Sequence, residues 1–170
     1  MQKFAICILC LFGFIFINCG ETNNRIIFDH DLFIKQKHAW KQTKPENYEY
    51  HFTWKGLNYG FKPGMSALII VENGQYINQI PDENDLMREV GYEYQTIDKI
   101  YELIESIYNQ HLKLNRTDLY IEKIEINYDL NNHIPLLTIF QYYVEPGTTD
   151  IGKTDSYEIK NFKIKNIEND

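Results

Sequence analysis

Between residues 48 and 55 the chain reads Tyr-Glu-Tyr-His-Phe-Thr-Trp-Lys, and this alternation restricts the fold more than any other stretch. Tyr48, Tyr50, Phe52 and Trp54 fall on one side of an extended chain. Glu49, His51, Thr53 and Lys55 fall on the other, so the segment reads as a strand with one buried face and one wet face.

The neighbouring segments extend that pattern. Ser66 to Val71 reads as a second strand and Tyr76 to Ile80 as a short third. They are joined through Asn73-Gly74, a dipeptide suited to a type I′ turn because both central residues need positive φ. Thr96 caps the best helix, in which Ile97, Ile100, Tyr101, Ile104, Ile107 and Tyr108 recur at a helical period. An earlier helix is capped by Asp29 or Asp31 and runs to about Gln42, with Leu32, Phe33, Lys37 and Trp40 near helical spacing. There the aliphatic stem of Lys37 covers apolar surface, and Pro45 ends the helix.

Glu122 to Tyr128 buries Ile124, Ile126 and Tyr128, and Leu136 to Tyr143 pairs back on it across the turn Asp129 to His133. In the last strand, Ser156 to Ile164, Tyr157 and Ile159 alternate but Phe162 and Ile164 are out of phase with them. That break predicts a β-bulge near Lys160 and Asn161. The order is helix, three strands, helix, three strands. It predicts an α+β, two-layer sandwich: an antiparallel sheet of five or six strands with two helices packed on it. The 13 tyrosines suit such a sheet better than a helical bundle.

The amino terminus reads differently. Lys3 precedes an unbroken apolar run, Phe4 to Ile17, of the length of a secretory leader. As a helix it would rise only ~21 Å against a hydrocarbon core of ~30 Å. Phe16-Ile17-Asn18-Cys19 resembles a bacterial lipobox, with Phe16 and Asn18 departing from the usual Leu and small residue. The expectation is a leader at 1–18, lipid attachment at Cys19, a tether at 19–28 and a single domain at 29–170. An uncleaved signal anchor and a soluble secreted product are the alternatives. Two or more acyl chains, at ~0.8 kcal/mol per buried methylene, hold a protein durably on a membrane. Cys7 and Cys10 would leave with the leader, so no disulfide remains and stability rests on a packed core. Without Lys3 the chain has 16 basic and 24 acidic residues, a net charge of −8, which argues against nucleic acid as a partner.

Trp40, Tyr48-Glu-Tyr50, a strand ending in Asn73-Gly74, Thr96-Ile97-Asp98 opening a helix with Leu103-Ile104-Glu105, then Ile126-Asn-Tyr128-Asp129 and Ile134-Pro135 occur in that order. Together, over about residues 35 to 165, they resemble a bacterial family catalogued only as a domain of unknown function, common in secreted proteins and lipoproteins. Members tend to carry a cysteine pair after the first strand and Gly where this chain has His133. The resemblance implies an envelope protein and supplies no catalytic residue.

Catalytic signatures are not found. The five histidines, His30, His38, His51, His111 and His133, form no close ligand pair, and there is no P-loop, no G-x-S-x-G and no G-x-G-x-x-G. His51 reads as solvated, His133 as a turn residue and Asp82, Glu83 and Asp85 as a solvated loop. No cofactor or metal is expected. Leu57, Tyr59 and Phe61 lie in the glycine-rich stretch Lys55 to Gly64, where aromatics suit a peptide, glycan or protein partner. Folding back as a lid over the sheet is the other reading of that loop. Two functions follow: a non-enzymatic envelope lipoprotein that binds a protein or wall component, or a small hydrolase or metal-dependent enzyme whose residues assemble only in the fold.

Overall fold

The computed structural model describes residues 26–56, 65–81, 94–113, 119–144 and 154–165. Elements run α1 (His30–Thr43), β1 (Tyr48–Gly56), β2 (Met65–Glu72), β3 (Gln75–Pro81), α2 (Ile97–Lys113), β4 (Leu119–Asp129), β5 (Ile134–Val144) and β6 (Thr154–Ile164). All six strands form one antiparallel sheet in the order β3-β2-β1-β6-β5-β4, and both helices pack on one face of it. The predicted α+β sandwich is the observed architecture.

The alternation of β1 sets the two faces. Tyr48, Tyr50 and Phe52 are buried beneath the helices with Ala67, Ile69 and Val71 of β2 and Tyr157 and Ile159 of β6. On the open face, Lys55 and Lys160 reach the Glu158 carboxylate at 2.9 and 3.0 Å, and Lys165 reaches Glu49 at 3.1 Å. Exposed pairs of this kind contribute little to stability. Their effect is to keep the uncovered face polar.

Asp29, not Asp31, caps α1: its Oδ1 accepts from the Leu32 amide at 3.0 Å. The buried residues of this helix are Phe33, Gln36 and Trp40. Gln36 therefore takes the inward place beside which Lys37 lies, and Lys37 spans to Glu105 of α2 at 2.7 Å. Thr96 caps α2 through the Lys99 amide at 3.2 Å, while the Tyr48 hydroxyl accepts from the Ile97 amide at 3.3 Å.

Turns and bulges hold the strands in register. Asn73 and Gly74 have φ of 52° and 72°, as a type I′ hairpin requires. Asn47 Oδ1 accepts the Asn73 amide at 2.9 Å, and Gly74 donates to the Glu46 carbonyl at 2.7 Å. The bulge predicted in β6 occurs at its pairing with β1, with Asn161 at φ 51°. Further register shifts occur in β2–β3 and β4–β5, and the one between Ile121 and Lys123 changes the phase of β4, so that Ile121 and Ile124 are both buried.

The two edges of the sheet are treated differently. Ile27, read from the sequence as tether, forms a parallel bridge with Lys123 of β4: its amide donates to the Glu122 carbonyl and its carbonyl accepts from Ile124. Ile26 is buried, and Phe28 packs on Tyr108 with ring centroids 5.0 Å apart. The β3 edge carries a bulge and ends at Pro81, and Asn78 Oδ1 accepts the Gln79 amide at 2.9 Å. These features blunt it against pairing with another chain. Among the described residues no helix is long and apolar enough to cross a membrane.

Candidate functional site

Antiparallel pairing gathers one end of every strand into a single rim. Gly56 ends β1 opposite Asp155 near the start of β6, and Gln141 of β5 lies opposite Thr154. Leu119, at the start of β4, is paired with Val144, at the end of β5. The carboxyl end of α2 arrives at the same rim, where His111 Nδ1 accepts the Ile121 amide at 3.3 Å and its ring meets that of Tyr142. The stretches 57–64 and 145–153 therefore join strands whose ends are hydrogen-bonded neighbours.

An acidic side chain stands on the helix-side face of this rim. Asp155 is in phase with Tyr157 and Ile159, the inward residues of β6. An aspartate in the inward phase of a strand is unusual, because burying a carboxylate costs free energy unless it is paired. Asp155 Oδ1 accepts a hydrogen bond from the Trp54 indole Nε1 at 2.8 Å. Phe140 is its direct partner on β5, with Tyr142 diagonal to it. Below, Phe140 packs on Tyr157 at 6.2 Å, and Phe52 and Tyr94 pack at 4.7 Å. The carboxylate thus sits among aromatic rings.

Burial pushes the Asp155 carboxyl above its ordinary range, and hydrogen bonds from Trp54 and the Ser156 amide offset this only in part. Burial also pushes the Tyr142 hydroxyl up to about 12, with the Asp155 charge adding to the shift. Among the described residues no lysine or arginine pairs with Asp155: Lys55 and Lys160 bind Glu158 on the opposite face. What the geometry offers is a half-buried carboxylate that accepts from the Trp54 indole, with Phe140 beside it on β5.

The residues singled out in the sequence fare differently. Cys19 and the loop residues Leu57, Tyr59 and Phe61 lie outside the described residues, as do Asp82, Glu83 and Asp85. Lys55 and Gly56, which lead into that loop, lie on the rim beside Ser156 and Asp155. His51 faces away from the helices in the middle of β1, opposite Lys160. His133 sits at the other end, in the β4–β5 turn at φ 57°, with Nδ1 2.8 Å from Gln36 Oε1. The two histidines are not brought together, and among the described residues no group of three or more His, Cys, Asp or Glu could hold a metal ion.

The other turn carboxylate shows the contrast. Burial tends to raise Asp129, but hydrogen bonds from the Asn132 side chain and the Asn131 and Asn132 amides outweigh it and hold the carboxyl below its usual range. Asp129 is satisfied by its turn, whereas Asp155 is not. Comparison of the chain with protein-family models, curated proteins and solved structures gives no match, so the chemistry of the rim rests on its own geometry.

Proposed function

We propose that the protein is a cell-envelope lipoprotein, anchored through Cys19, that binds a ligand or partner without chemistry at the rim formed by Trp54, Asp155 and Tyr142. The observation that supports binding is the half-buried Asp155 carboxylate with an indole donor and no basic partner among the described residues.

Anchoring and fold fit together sterically. The seven Cα–Cα steps from Cys19 to Ile26 reach at most ~25 Å, and Ile27 is fixed on the β4 edge. In an anchored molecule the β4 edge lies within that reach of the bilayer. The rim then stays within reach of a partner in the same envelope layer.

Two measurements test the reading. Mass spectrometry of the amino-terminal peptide is expected to find Cys19 acylated and the leader gone, and Cys19→Ser is expected to move the protein out of the membrane fraction. Affinity capture from detergent-solubilised envelope is expected to recover a partner with the wild type that Trp54→Ala loses. Intact residues 1–19, or capture unaffected by the rim variant, would overturn the corresponding half.

A further inference from the structure

Asn73-Gly74 closes the β2–β3 hairpin at the end of the sheet opposite the rim, and this dipeptide has a reactivity of its own. The backbone nitrogen of a residue that follows asparagine can attack the asparagine carboxamide. A bond forms from that nitrogen to Cγ, ammonia leaves, and the nitrogen's proton passes to solvent base. Water then opens the cyclic imide to aspartate or to isoaspartate, in which the chain runs through the side-chain carbon. Glycine favours the attack because no Cβ crowds the nitrogen. Both residues are exposed, and nothing lies within 4 Å of a Cβ built on Gly74.

The fold restrains the nucleophile. The Gly74 N–H donates to the Glu46 carbonyl at 2.7 Å, and the Asn73 N–H donates to Asn47 Oδ1 at 2.9 Å. Both acceptors belong to the 44–47 link between α1 and β1, so a segment outside the hairpin grips both amides of the turn. To attack, the Gly74 nitrogen must lose the proton it shares with Glu46 and swing toward the Asn73 carboxamide. That movement breaks the clamp and leaves the φ values of 52° and 72° that the turn requires.

We infer that Asn73 is a deamidation site gated by the Glu46–Asn47 clamp, slow to react in the closed hairpin and reactive once the hairpin opens. The consequence runs one way. Isoaspartate adds a carbon to the backbone inside a two-residue turn whose geometry fixes the strand register, so a hairpin that has reacted does not close again in register. β3 is the edge strand and pairs with β2 alone, which makes it the element that is lost. The site lies apart from the rim and depends neither on ligand binding there nor on the anchor.

The test follows Asn73 by peptide mass spectrometry in the full-length chain, incubated in detergent and, at the same mildly alkaline pH and temperature, in guanidinium chloride. Asn73 is expected to deamidate in the denaturant and to react about tenfold more slowly, or slower still, in the native protein, where reaction waits on local opening. Asn47→Ala removes one of the two gripping bonds and is expected to speed the native reaction about fivefold. The exchange rate of the Gly74 amide proton, read by NMR, is expected to rise by a similar factor. Circular dichroism establishes that the variant is folded, and the comparison with denaturant stands without it. Absence of reaction at Asn73 in the denaturant, equal native and denatured rates, or a folded Asn47→Ala protein that reacts at the wild-type rate overturns the proposal.

Discussion

Replacing Asp155 with Asn separates the two contributions of this side chain to stability. The amide oxygen still accepts from Trp54 Nε1, now 2.8 Å from Oδ1, so the β1–β6 link persists. A neutral hydrogen bond replaces a charge-assisted one, a loss of about 1 kcal/mol. Against this, the variant no longer buries an unpaired charge, which costs several kcal/mol for a fully buried ion and, after screening by solvent, about a third of that at a half-buried site. The terms nearly cancel, and Asp155→Asn is expected to fall between neutral and about 1 kcal/mol more stable at pH 7. Asp155→Ala removes the 2.8 Å bond from the Trp54 indole and is expected to cost about 1–2 kcal/mol.

The pH dependence has a definite sign. Asp155 has its folded carboxyl pKa above the unfolded value, so the native state holds the proton more tightly. Its stabilising contribution is complete below the unfolded pKa and disappears as pH rises through the folded one. The advantage of Asp155→Asn over wild type should therefore shrink as pH falls toward that window. The Tyr142 phenol, which feels the Asp155 charge, and the Trp54 indole do not titrate there. Urea unfolding of both proteins at neutral and acidic pH measures the difference. Destabilisation by Asp155→Asn of more than about 1 kcal/mol at pH 7 would refute the reasoning, because the charge would then be stabilising the fold.

Other outcomes follow from the same structure. Gly74→Ala should cost about 1 kcal/mol in thermal or chemical unfolding: φ is 72°, and nothing lies within 4 Å of an added Cβ, so only backbone strain opposes it. Tyr101→Phe removes a 2.7 Å bond to the His133 carbonyl and should cost about 1 kcal/mol, whereas Tyr128→Phe, whose buried hydroxyl has no partner, should cost less than half as much. Phe28→Ala should lower stability by about 2 kcal/mol by releasing the Tyr108 contact, and limited proteolysis should then cut before α1 faster. Asp129→Asn should narrow the acid stability margin: the wild-type carboxyl, held low by its turn, adds stability above the unfolded pKa that is lost as pH falls.

The fold was largely legible because its determinants are local. Strand β1 shows period two, α2 shows its 3.6-residue stripe and Thr96 its cap, and Asn73-Gly74 has few conformational options. The phase break at Asn161 is likewise visible in one strand alone. Other features depend on partners distant in sequence. Gln36 lies at a good helical spacing from Phe33 and Trp40, but an amide is accepted there because His133, 97 residues away, meets it. Ile26 to Phe28 look like a tether until the β4 edge is present to receive them.

Asp155 escaped sequence reading for a related reason. It stands at the boundary of a polar stretch, where an aspartate looks like a loop residue. The available signal was its phase, two residues before Tyr157 and four before Ile159, which puts a carboxylate on the face that buries its neighbours. Trp54 gave a parallel hint as the last inward residue of β1. Only the β1–β6 register joins them.

The most direct measurement is the carboxyl-carbon NMR titration of Asp155 beside that of Asp129 in the unliganded protein. Asp155 is expected to titrate above the ordinary aspartate value of ~3.9 and Asp129 below it. An Asp155 that titrates together with Asp129 or lower would mean that the fold already compensates its charge, and the rim would not hold an unsatisfied carboxylate.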